Sequence, residues 1–233
     1  MMLNIRKLTA LATLLVVVVT QGLGAKDLPA GGSAATLTEG GTYVIPGSAS
    51  AISYPSLMNG TADPVVLDLM GNPRKTISLT GSKTVFNQTQ NNASTSVEGG
   101  KIDVSGGNVY VGLSGSATAS TKKKMFLSDG AEISGCGTFA VAEKEAGNVL
   151  AMTNATISAA DFSVANGGCP GMNSVFAGPG AKINVSGTFK TEDGPSPKSA
   201  DNSIWKIHPA VSKCGRAFFV QCNPQAAHIG KSS

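Results

Sequence analysis

Six isoleucines, Ile52, Ile77, Ile102, Ile133, Ile157 and Ile183, recur at steps of 24 to 26 residues, with one step of 31. The surrounding text recurs with them: Ile77-Ser-Leu-Thr-Gly81, Ile102-Asp-Val-Ser-Gly106 and Ile183-Asn-Val-Ser-Gly187, with weaker copies at Ile133-Ser-Gly-Cys-Gly137 and Ile157-Ser-Ala-Ala160. A short apolar–polar–apolar stretch ending in Gly, repeated every two dozen residues, suits one strand per coil whose inward side chains stack on their equivalents in the next coil. Two further sets sit at near-constant offsets. Phe126, Leu150 and Phe176 lie seven residues before their isoleucine, and Phe139, Phe162 and Phe189 lie five or six after it. Both are expected as core columns, which implies several strands per coil and a solenoid.

Composition agrees with an all-β chain. Of 233 residues 29 are Gly, only 14% are charged, and no long stretch of helical period follows the N-terminal region. About seven coils are expected. Residues 1–25 read as a signal peptide: Arg6 and Lys7, an apolar run from Leu8 to Val19, then small residues ending at Ala25. That run is too short for a membrane span, which wants about 20 apolar residues. Residues 26–40 would form an irregular N-terminal cap, 41–207 the solenoid, and 208–233 a disulfide-containing C-terminal cap and tail. An exported, extracellular protein is expected, with no membrane insertion, either monomeric or associating end to end through imperfect caps.

Removing Arg6 and Lys7 from the 18 basic residues leaves a near-balance with the 14 acidic ones. No basic stripe interleaved with aromatics suggests nucleic acid. The exception is Lys122-Lys123-Lys124, which falls within the one long coil. Other polar stretches share its phase, so one edge of the stack should carry the long loops. The three lysines are a candidate binding site for an acidic partner, or else neutralise Glu143 and Glu145 on the neighbouring loop.

Cys136, Cys169, Cys214 and Cys222 are an even set in an exported chain, so disulfides are the default. Three pairings are open. Cys214–Cys222, clipping a terminal hairpin, with Cys136–Cys169 is the favoured one. Their spacing does not form a zinc cluster, and no metal or other cofactor is implied. Five Asn-x-Ser/Thr sequons, at Asn59, Asn87, Asn92, Asn154 and Asn184, are candidate glycosylation sites.

The phrases Gly40-Gly-Thr-Tyr-Val-Ile45, Val65-Val-Leu-Asp-Leu-Met-Gly71 and Thr76-Ile-Ser-Leu-Thr-Gly81 resemble the opening coils of right-handed parallel β-helix proteins, the pectin-lyase-like superfamily. The resemblance covers roughly residues 36–191 and implies a single-stranded right-handed parallel β-helix. It does not imply one function, because that fold serves lyases, hydrolases, adhesins and tailspikes. The Asp-Asp, Asn-x-Asp and His-Gly segments of the polygalacturonase-like hydrolases are missing. The nearest imitation of a calcium-dependent lyase is Asp103, Asp129 and Glu132 with Lys101 as base. Lys101 and Glu132 each precede their isoleucine by one, so they should stack on adjacent rungs and form a surface ion pair as readily as a site. The leading expectation is a secreted non-catalytic interaction protein whose partner is an extracellular polysaccharide or a surface protein. The alternative is a lyase acting on acidic polysaccharide with calcium.

Overall fold

The computed structural model describes residues 24–88, 93–112, 123–141, 148–164, 174–191, 207–211 and 217–220. Among them there is no helix; the chain is a parallel β-solenoid. Among the described residues no helix is long and apolar enough to cross a membrane. Residues 1–23, Asn92, Lys122, Glu143, Glu145, Cys169, Trp205, Cys214 and Cys222 lie outside the described residues.

Each coil contributes three strands, and like strands stack into three columns. Numbering in chain order, the first column holds β1 (Lys26–Asp27), β3 (Gly41–Val44), β6 (Val65–Asp68), β9 (Ser94–Glu98), β12 (Lys124–Ser128), β14 (Val149–Met152) and β16 (Ser174–Ala177), all parallel neighbours. The second holds β4 (Ala51–Tyr54), β7 (Thr76–Leu79), β10 (Lys101–Val104), the first halves of β13 (Glu132–Ala140) and β15 (Thr156–Val164), and β17 (Lys182–Val185). The third holds β2 (Ala35–Leu37), β5 (Leu57–Asn59), β8 (Lys83–Asn87), β11 (Asn108–Gly112), the second halves of β13 and β15, and β18 (Phe189–Thr191).

The isoleucine ladder is the second column. Ile52, Ile77, Ile102, Ile133, Ile157 and Ile183 are paired Cα to Cα from rung to rung, and the five after Ile52 are almost wholly buried. The chain therefore makes about five turns, not the expected seven. Two physical reasons account for the difference. Residues 28–34 lie across the first coil without adding an isoleucine strand, and past Thr191 no described strand joins the isoleucine column. There β19 (Ile207–Val211) runs antiparallel to β20 (Ala217–Val220), which pairs with β16 through Phe176 and Phe219.

Phe139, Phe162 and Phe189 fill the third column in register, with ring centroids 5.6 and 5.3 Å apart and planes within 9°. The variable offset from the isoleucines is absorbed between the columns. In β13 three residues span Ile133 to Cys136 where β15 uses two between Ile157 and Ala159. Gly135, at φ +75, takes up the extra residue as a bulge.

The other expected column is corrected. Ala151 pairs with Phe126 on one side and Phe176 on the other, whereas Leu150 pairs with Met125 and Val175. Leu150 is inside at 0% exposure, while Phe126 and Phe176 point out at 39% and 48%. Counted from the register partners Leu127, Met152 and Ala177, the path to Ile157 is one residue shorter than those to Ile133 and Ile183, and a slip of one residue in a strand exchanges its faces.

The corner between the third and first columns buries polar side chains. Asn87 Nδ2 donates to the Val111 carbonyl at 2.7 Å and the Lys124 carbonyl at 3.1 Å, and its Oδ1 accepts from Thr95 Oγ1 at 2.9 Å. Asn59, paired with Asn87 in register, donates Nδ2 to the Ser94 carbonyl at 3.0 Å and accepts from the Thr61 amide at 2.9 Å. These bonds tie adjacent rungs where chain direction changes and the backbone ladder is interrupted.

The first rung is covered by residues 28–35. Leu28 is buried, the Leu28 amide donates to the Val44 carbonyl, the Gly32 amide donates to the Ser53 carbonyl, and Tyr54 donates its hydroxyl to the Pro29 carbonyl. Burial pushes the Tyr54 phenol up to about 12. A β-branch-free, helix-free segment thus satisfies the edge of β4 that would otherwise template another chain.

Replacing Phe162, the middle ring of the stack, by Ala should lower stability by about 3–5 kcal/mol in chemical denaturation. Asn87→Ala leaves two carbonyls and the Thr95 hydroxyl without their buried partner and should cost at least about 2 kcal/mol, a loss that a surface asparagine change would not show.

Candidate functional site

The residues singled out for lyase chemistry separate into two groups. Lys101 pairs with Glu132 and Asp103 with Ser134 on adjacent rungs of the isoleucine column, all half-buried on its outer face. Lys101 Nζ is held by Asp103 Oδ1 at 3.0 Å, and Ser134 Oγ donates to the same oxygen at 3.3 Å. The ammonium is thereby directed at a neighbour on its own strand, not outward toward a substrate proton. Asp129 is elsewhere, in the corner between β12 and β13 at φ +57, with Ser128 Oγ donating to its Oδ2 at 2.8 Å.

Asp129 keeps company instead with Asp68 and Glu98. Asp68 and Glu98 are register partners, and Glu98 pairs on its other side with Ser128. Burial, then the charges of Asp68 and Asp129, push the Glu98 carboxyl above its ordinary value. Arg74 donates Nη1 to the Gly130 carbonyl at 3.1 Å in the same corner. Among the described residues no group of three or more His, Cys, Asp or Glu side chains could hold a metal ion. The calcium of the lyase alternative has no fitting donor set here, since Asp103 and Glu132 are on one face and Asp129 is at a corner.

The basic run also changes meaning. Lys123 is buried, 2% exposed, and Lys124 is half-buried with its backbone paired to Ser94 and Val149. A Cβ on Gly112 would collide with the Lys123 and Asn148 side chains, so glycine there leaves the room that Lys123 occupies. Lys123 is therefore a packed corner residue, contrary to its expectation as part of an exposed basic loop.

Cys136 has its thiol in the core, 4% exposed and in register with Ala159. Burial pushes that thiol up to about 12, which removes it as a nucleophile. Its favoured partner Cys169 is outside the described residues.

The sequon asparagines differ in their surroundings. Asn59 and Asn87 are buried and donate their amide nitrogens to main-chain carbonyls. Asn184 is half-buried, its Nδ2 donating to Ser158 Oγ at 3.1 Å and its Oδ1 enclosed without a hydrogen-bond partner. Asn154 is exposed.

What the sequence pattern missed is the outer face of the first column. Thr42, Val66, Ser96, Phe126, Ala151 and Phe176 form one outward ladder in continuous register. Its two rings stand two rungs apart with Ala151 between them, so about 9.6 Å separates their strands. On one side run Asp68, Glu98 and Ser128, and on the other Ser94, Lys124 and Val149. In sequence, residues 88–93, 113–123, 141–148 and 165–173 connect a strand of the third column to the next strand of the first.

A carboxyl held above its ordinary value lends more stability when protonated, so stability contributed by Glu98 is present at low pH and lost as pH rises through the carboxylate range. Glu98→Gln should therefore raise the thermal midpoint at neutral pH, with the gap to the parent closing below the ordinary carboxylate range in a pH series of melts.

The architecture is that of the parallel β-helix proteins. No protein-family model, curated protein or solved structure matches the chain.

Proposed function

We propose that this chain is an exported, non-catalytic β-solenoid that binds a neutral extracellular polysaccharide along the outer face of its first strand column. The observation that supports this reading is the outward ladder through Phe126, Ala151 and Phe176. Large apolar side chains on the solvent face of a soluble protein are unfavourable there unless something covers them, and two of them in one register column make a directed platform. A phenyl face stacks on the C–H-rich face of a pyranose ring. In a β-1,4-linked chain every second sugar presents the same face, and that advance is close to the two-rung separation of about 9.6 Å. Ala151, small and half-buried, leaves the intervening sugar room.

Charge decides which polymer. Asp68 and Glu98 flank the ladder on one side, Asp129 lies at its corner and the single Lys124 stands on the other side; the carboxylate charges, which add to burial in raising Glu98, would also repel a polyuronate laid beside them. A neutral glycan takes hydrogen bonds from Ser96 and Ser128 without that penalty. The same repulsion weighs against acidic pectate, the substrate of the lyase alternative.

The test is depletion of folded protein from solution by an insoluble β-1,4-glucan. The parent should be retained, and Phe126→Ala with Phe176→Ala should weaken retention by about tenfold, as expected for two lost stacking contacts, with an unchanged thermal midpoint because both rings are exposed. Polygalacturonate with calcium should give no rise in unsaturated-uronide absorbance. Retention that survives the double substitution would sink the assignment to this face, and calcium-dependent absorbance would reinstate the lyase.

A further inference from the structure

We propose that Asn154 is an N-glycosylation site, and that the solenoid itself excludes Asn59 and Asn87 from that role. The inference rests on the reading that the chain is exported. The five sequons look alike in sequence, each an Asn followed two residues later by Ser or Thr. The fold separates them by what it does with the carboxamide.

Asn154 occupies the corner between β14 and β15. Its backbone is held on both sides: its amide donates to the Pro179 carbonyl on the next rung at 2.8 Å, and its carbonyl accepts from the Gly130 amide on the previous rung at 2.6 Å. Its φ of +47 is a left-handed conformation that asparagine tolerates better than most residues. The corner is thus fixed through main-chain bonds alone, and the side chain is exposed. The neighbour on the next rung is Gly180, where an added Cβ would come within 3.5 Å of Asn154 Cβ and 3.4 Å of Oδ1. Glycine there keeps open the space beside the carboxamide. Thr156, the third sequon residue, is half-buried and begins β15 between Glu132 and Lys182.

Asn59 and Asn87 are the opposite case, at 2% and 0% exposure with Nδ2 donating inward. A chain modified there could not bring these nitrogens to the Ser94, Val111 and Lys124 carbonyls, so it would not complete the corner. Folded, exported molecules should carry no sugar at either.

The step is a glycosyl transfer from a lipid pyrophosphate-linked oligosaccharide. Asn154 Nδ2 forms the bond to the anomeric carbon as that carbon's bond to the phosphate oxygen breaks; the lipid pyrophosphate leaves with the electron pair, and the amide gives up one proton to a base. The sugar would leave the rod at the corner between the first and second columns.

The experiment is expression of the full chain behind a host leader in a eukaryotic secretory cell, which makes export independent of residues 1–25. Site-resolved glycopeptide masses are then read on the secreted, folded protein. The expected result is a glycan on the Asn154 peptide and none on those of Asn59 and Asn87. Asn154→Gly, which keeps the left-handed backbone, and Thr156→Ala should each remove it, and Thr156→Ser should retain it. A bare Asn154 peptide, or a glycan on Asn59 or Asn87 in folded protein, would overturn the proposal. Cleavage of the chain's own leader, measured separately, tests the export reading.

Discussion

In-register stacking of like side chains on successive rungs is the interaction on which the rest of this structure depends. Each rung touches only the one before and the one after, so no distant element can rescue a misplaced side chain. An inward position must therefore be filled on every rung by something that packs on itself at the spacing of neighbouring strands, about 4.8 Å. Isoleucine does this in the second column, and phenylalanine rings do it in the third by lying nearly parallel. Because the columns hold the register, the corners need not. The chain tolerates a 31-residue coil between Ile102 and Ile133, a bulge at Gly135 and a shortened corner at Asn154 without losing the ladder.

The same constraint makes the polar interior legible as architecture. Where the chain turns from the third column into the first, carbonyls cannot all be met by the next strand. Asn59 and Asn87 supply the missing donors, and Thr95 completes the acceptor side. An asparagine in such a position is worth more as a double-ended connector than any apolar replacement, because an unmet buried carbonyl costs more than the average bond gains. Lys123 belongs to the same corner, which is why a run of three lysines is not a uniform patch.

The columns are legible in the sequence where the same residue type recurs at a similar distance from each isoleucine, even when that distance varies by one. Ile77, Ile102, Ile133, Ile157 and Ile183 and the Phe139, Phe162 and Phe189 set were found that way, as was the stacking of Lys101 on Glu132. Phe126, Leu150 and Phe176 share a constant offset and were misread, because the corner after Met152 is one residue shorter and a period-2 strand converts that into opposite faces. Asn59 and Asn154 could not be told apart, since a buried connector and an exposed corner can use the same three-residue text. The number of turns was overcounted because a length divided by a period takes caps for coils. The outer ladder gave no signal at all: Thr42, Val66, Ser96, Phe126, Ala151 and Phe176 share neither type nor size, and only the register makes them one feature.

A flat strand face covers its ligand from one side only, whereas concave sites bury most of a small molecule's surface. Contact on such a face is weak per rung, at the scale of one aromatic stacking pair. It becomes useful only if the ligand repeats as the protein repeats, so that binding one unit raises the effective concentration of the next. Under the binding reading proposed above, Phe126 and Phe176 two rungs apart would put that requirement on the partner, favouring a polymer of constant advance over a peptide or a free sugar. Under the same reading the carboxylates beside the ladder would add a second requirement, that the polymer not bring like charge to Glu98. Period and charge together narrow the partner more than any single residue does, and both follow from stacking register that the buried columns fix.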